Sequence, residues 1–209
     1  AESGLVSYYT SLTLNVNLAE AGPRTLAADQ AVRYRPDDLR PLEAEVANPG
    51  ALASYVQSDP GRTYPALGIC NPADSYQYVA ITSQAFAGAS TDYTINDLIA
   101  YRQAHGMSAT VVTLEAISAN YTGVDNPEKI RNFILDAYNN WETDFVLLGG
   151  DTNVLPYRSL YVEIGSSYTE AEKNIPSDVY YQCLDGNYNS DGDTHWGEPN
   201  DGPGGSDVD

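Results

Sequence analysis

The chain has 209 residues, 42% of them apolar, enough for a domain with a real core and a smaller attachment, and too many for a disordered chain. Its net charge of −19, from 29 acidic and 10 basic residues, repels phosphate backbones and anionic lipid, which excludes nucleic acid as a natural partner. No apolar run approaches the roughly 20 residues of a membrane span.

In chain order, Tyr8–Leu18 alternates cleanly, with Leu12, Leu14, Val16 and Leu18 on one side and Ser11, Thr13, Asn15 and Asn17 on the other. This is the pattern of a half-buried antiparallel strand. Residues 35–61 carry Pro36, Pro41, Pro49, Gly50, Pro60 and Gly61, the composition of an extended linker with room for a short helix near Gly50–Val56. Residues 1–60 are therefore expected to end a β-rich segment and lead into a second domain.

From Tyr76 to Asp151 the chain alternates strand and helix signals. Tyr78–Ser83 is a short apolar run suited to a buried parallel strand. Thr94–His105 spaces Ile95, Leu98, Ile99 and Arg102 on one helical face, and Gly106 stops it. Ala109–Leu114 predicts the next strand. Asn126 is the expected N-cap of a helix to about Trp141, with Pro127 at its first position, Glu128 beside the positive end of the dipole, and Ile130, Phe133, Ile134, Ala137 and Tyr138 as its inner stripe. Asp144–Leu148 predicts a third strand, left through a tight turn at Gly149-Gly150-Asp151. The fold class read from this order is α/β, a parallel sheet built on a βαβαβ core.

Beyond Pro156 periodicity fades and acidity rises. Seven carboxylates and no Lys or Arg lie between Asp185 and Asp209. Oxygen-bearing side chains recur at every second position: Asp185, Asn187, Asn189, Asp191 and Asp193. A hard cation takes six to eight oxygens at about 2.3–2.6 Å, and a tightly turned loop of this kind supplies them. With Gly192 at the sixth position of an EF-hand-type loop, Asn187, Asn189 and Asp191 stand at positions one, three and five, His195 at nine through its backbone or a water, and Glu198 at the bidentate twelfth. Asn at position one and the lack of flanking helices depart from that pattern. A second register uses Asp185 to Asp193 without Glu198. Calcium is the expected ion in either, with magnesium or another ion as the lesser alternative, against a plain solubilising acidic loop.

Cys70 and Cys183 are the only cysteines, too few for a disulfide framework, although they leave one bridge open. His105 is expected to end a helix. Nothing basic lies near Cys183, in an alternating run that suggests a strand or turn edge, so no local motif nominates a nucleophile.

The segments Tyr78–Ser83, Leu98–Gly106, Thr110–Thr113, Ile130–Ile134, Phe145–Asp151, Leu155-Pro156 and Ser177–Tyr181, in this order and spacing, resemble the front of the gingipain-type cysteine peptidase domain over about residues 74–184. The resemblance implies a caspase-like α/β fold whose first subdomain is scaffold, preceded by the tail of a prodomain in residues 1–60 and followed by the acidic Gly-rich loop 185–209, a stretch shorter in the best-known members. It implies a catalytic His after a later strand, in a Gly-His-Gly setting, and a Cys after another. Neither setting occurs in these 209 residues, so the resemblance assigns no catalytic residue to any position and predicts that the chain by itself is inactive. It also implies protein substrates, a secreted or cell-surface parent, and the remainder of the same precursor as partner. The competing reading is a non-catalytic extracellular binding module on the same scaffold.

Overall fold

The computed structural model describes residues 44–46, 49–51, 67–162, 174–184, 187–189 and 191–198. The chain divides into two compact units, Ala1–Ser58 and Asp59–Asp209. In the first, Pro49–Ala51 forms a 3-10 turn; the expected strand Tyr8–Leu18 lies outside the described residues, as does the rest of the helix expected near Gly50–Val56.

The second unit is built on a parallel sheet. β1 (Tyr78–Thr82) lies in the middle, with β2 (Ala109–Thr113) on one side and β3 (Phe145–Gly149) on the other. Tyr78 faces Ala109 and Phe145 across the two registers. All five β1 residues are buried, which explains why that strand is a continuous apolar run rather than an alternating one. The α/β reading with three adjacent parallel strands holds, with ends displaced by one residue.

Successive β1 residues point to opposite faces, and each face has its own core. Tyr78, Ala80 and Ala109 pack against Ile99 of α2 (Ile95–Ala104). Val79, Ile81 and Val112 pack against Ile130, Phe133, Ile134 and Ala137 of α4 (Asn126–Asn140). Arg102 belongs on the inner face of α2 because its guanidinium lies 4.9 Å from the centre of the Tyr78 ring.

Local chemistry sets the ends of α2. Thr94 and Asp97 form a reciprocal capping box at its start. At its end, Met107 N donates to Arg102 O and Gly106 N to Gln103 O, the paired bonds of a Schellman stop, with Gly106 at φ +85° where a side chain would be strained. The helix α4 begins one residue earlier than expected. Asp125, not Asn126, is its N-cap and accepts a hydrogen bond from Glu128 N at 3.1 Å.

Two short helices follow strands directly and were not expected from the sequence. α1 (Gln84–Ala87) is capped by Ser83, and α3 (Leu114–Asn120) by Thr113, so the predicted last residues of β1 and β2 instead begin helices. Beyond Pro156, Arg158–Tyr161 (β4) pairs antiparallel with Asn174–Ser177 (β5), and Val179–Gln182 forms α5. Cys183 caps α5 and so leaves a helix, where a strand or turn edge was expected.

Candidate functional site

The acidic loop is folded against the second core. Tyr188 is fully buried, and Trp196 packs on the same cluster. Gly197 N donates to Tyr188 O at 2.8 Å, closing the loop on itself, and Tyr161 N donates to Trp196 O at 2.8 Å, fastening it to β4. Arg158, nearly buried, lies 3.5 Å from the Trp196 ring centre and 4.8 Å from that of Tyr180, while its two terminal nitrogens hold both carboxyl oxygens of Asp125 at 2.7 and 2.8 Å. Arg131 in turn stands 5.2 Å from the rings of both Tyr180 and Tyr188 and donates twice to Cys183 O. These arginines neutralise local charge and supply flat surfaces on which aromatic side chains stack.

Within the loop, side-chain oxygens turn back onto backbone N–H groups. Asn187 Oδ1 accepts from Asn189 N, Asn189 Oδ1 from Gly192 N, and Asp191 Oδ1 from Asp193 N. Gly192 has φ +77°, at the sharp bend where the sequence places it. Asp193 Oδ1 accepts from His195 N at 2.6 Å, and its Oδ2 lies 3.1 Å from His195 Nδ1. The His195 N–H and ring hold the Asp193 carboxyl below its ordinary range.

Asp193 and Glu198 come together with the His195 ring, their donor atoms all within 4.8 Å of one another. Asn187, Asn189 and Asp191 follow one another through consecutive side-chain-to-backbone turns, and Asn189 Nδ2 donates to Asp193 O at 3.0 Å. Asp185 lies outside the described residues. The sequence places His195 at position nine through its backbone or a bridging water; its ring Nδ1 stands 3.8 Å from Glu198 Oε2, and the Asp-x-His-x-x-Glu spacing was the available signal. The oxygen-rich donor set fits a hard cation, whereas the imidazole suits a borderline metal.

Neither thiol is positioned as a nucleophile with a histidine base. Cys70 and Cys183 are free, and neither hydrogen-bonds to a histidine among the described residues. Cys70 is fully buried, which pushes its thiol up to about 12, and its neighbour is the Tyr121 hydroxyl at 3.6 Å. His105 caps α2 as expected, its Nδ1 2.7 Å from Tyr101 O.

The three-stranded parallel sheet with its helices fits the caspase-like α/β core that the resemblance implies. The sequence profile of peptidase family C25 matches residues 71–201, more than half of the chain. The chain belongs to peptidase family C25, the gingipain-type cysteine peptidases. The C25 match starts one residue after Cys70 and runs through the whole of 187–198, past Leu184, where the resemblance by segments stops. No curated protein and no solved structure matches the chain. No helix among the described residues is long and apolar enough to cross a membrane.

Proposed function

We propose that this C25 chain is the leading, scaffold subdomain of a secreted cysteine endopeptidase, that the Cys/His pair is supplied by a later part of the same precursor, and that calcium stiffens the 185–198 loop. The observation carrying this reading is the outer edge of β3. Phe-Val-Leu-Leu is an apolar strand of the kind found inside parallel sheets, yet Phe145 is exposed, the following four residues are half-buried, and no strand pairs with that edge among the described residues. A further parallel strand from the rest of the precursor would cover it and carry catalytic groups at its carboxyl end.

Calcium would draw on Asn187, Asn189, Asp191 and Glu198 in the EF-type register, or on Asp185 through Asp193 in the other. It would remove carboxylate repulsion and supply no chemistry to cleavage. The weak affinities of extracellular calcium modules, about 10⁻⁴–10⁻³ M, suit a secreted parent.

The test is peptide hydrolysis by the purified 209-residue chain. No turnover is expected, because orientation gains nothing without a nucleophile. Thiol-dependent cleavage abolished by Cys183→Ala would overturn the scaffold role and make Cys183 the nucleophile.

A further inference from the structure

The carboxyl end of the parallel sheet opens onto a cavity of about 380 Å³. Its walls come from the connections that follow β1, β2 and β3 and from the first turns of α4. Parallel α/β sheets bind ligands at this end, in sites of about 300–1,000 Å³. The floor is aliphatic: Ile117 and Ile130 are buried, and Leu114 and Val154 are half-buried beside them.

One charge in the lining is unexplained by the fold. Lys129 is one of only two lysines in a chain of net charge −19, and it forms no ion pair among the described residues. It sits within a turn of the start of α4, where a cation is disfavoured by its own helix dipole, so helix stability does not account for its position. The acid across the cavity, Glu115, is engaged elsewhere: its Oε2 accepts from Gln84 N at 2.8 Å. The exposed side-chain amides of Asn126 and Asn153 add neutral donors at the rim.

An ammonium that forms no ion pair among the described residues, amide donors and an aliphatic floor in one small cavity are complementary to one chemistry. We propose that this cavity binds an aliphatic carboxylate, with the carboxylate on Lys129 and the hydrocarbon on Ile117 and Ile130. The free C-terminus of a peptide ending in Leu or Ile carries that chemistry, and so does a short branched carboxylic acid. The lining includes no residue of the acidic loop.

The experiment is a titration of the ¹⁵N-labelled chain, following amide shifts of Ser118, Lys129 and Asn153. The probes are acetyl-Ala-Leu with a free carboxylate, the same dipeptide as its amide, and 4-methylpentanoate. Saturable shifts with the free dipeptide are expected, at least about tenfold weaker for the amide and for Lys129→Met, since a hydrogen bond to a charged group contributes about 1.5–3 kcal/mol. Binding of 4-methylpentanoate at equal strength assigns the site to free acids; stronger binding of the dipeptide assigns it to peptide ends. Ser118→Trp, on the exposed side of α3, fills the cavity without touching the core and should remove binding of every probe. Equal binding of acid and amide, binding unchanged in Lys129→Met or Ser118→Trp, or no saturable shift at low-millimolar probe, would each overturn the proposal.

Discussion

Arg158 lies over Trp196, 3.5 Å from its ring centre, while its paired bond to Asp125 holds the N-cap of α4. One guanidinium therefore joins the acidic loop to the helix that carries the core. Asp125 is the more exposed partner, so solvent offsets part of the loss when the pair is broken. Arg158→Met is expected to destabilise the chain by about 2–3 kcal/mol. A double-mutant cycle with Trp196→Leu, read by urea unfolding, should give a coupling of about 0.5–2 kcal/mol. Additive losses would mean that the stacking is incidental.

Asp136 is fully buried and accepts four hydrogen bonds: from Tyr121 Oη at 2.6 Å, Asn140 Nδ2 at 2.7 Å, Gly68 N at 3.1 Å and Leu67 N at 3.2 Å. It pins the strand-entry segment to α4. Asp136→Ala strands these donors and is expected to cost about 3–5 kcal/mol. Asn140→Ala removes one of them and should cost about 1 kcal/mol. Chemical denaturation followed by Trp141 fluorescence compares the two; equal losses would contradict the hub role of Asp136.

Burial raises the Cys70 thiol from its ordinary 9.0 to about 12. In the unfolded chain the thiol ionises near 9, so between about 9 and 12 unfolding releases a proton and folding stability falls as pH rises. Below pH 9 both states hold the proton and the effect is absent. Burial also raises Tyr121, Tyr180 and Tyr181, which adds to the same alkaline loss. Melting curves from pH 7 to 11 should show stability declining only above about 9, less steeply for Cys70→Ala. In the native state at pH 8, thiol reagents should leave Cys70 unlabelled. Rapid labelling there would show that the site opens.

Calcium binding to the loop is expected to protect it from proteolysis and, where loop and domain unfold together, to raise stability by about 2.7 kcal/mol at a hundredfold excess over the dissociation constant. Asp191→Ala removes a ligand in both registers and should abolish the effect. Glu198→Ala should matter only in the EF-type register. Calorimetry with calcium and, separately, zinc on chelator-treated protein decides the ion: zinc heat lost in His195→Ala assigns the site to the imidazole, and no heat with either ion leaves an acidic loop alone.

What the sequence by itself determined is whatever depends on neighbours within a turn or two. The apolar runs around Val79, Val112 and Leu147 read directly as strands of a parallel sheet, and the stop of α2 at Gly106 is written in one residue. The spacing of the segments was enough to identify the peptidase family. What tertiary structure decided depends on partners tens of residues away. Asn126 and Asp125 both suit an N-cap; Asp125 takes the role with its carboxyl paired to Arg158, 33 positions on. The burial of Asp136 and Arg131 contradicts their polarity until Leu67, Gly68, Tyr121 and Cys183 arrive to accept or donate. The short helices after β1 and β2 carry too few residues for a periodic signal. Their caps are Ser83, which follows the last residue of β1, and Thr113, the last residue of β2, and the ends of both strands are set by the sheet, a structure assembled only through contacts distant in sequence.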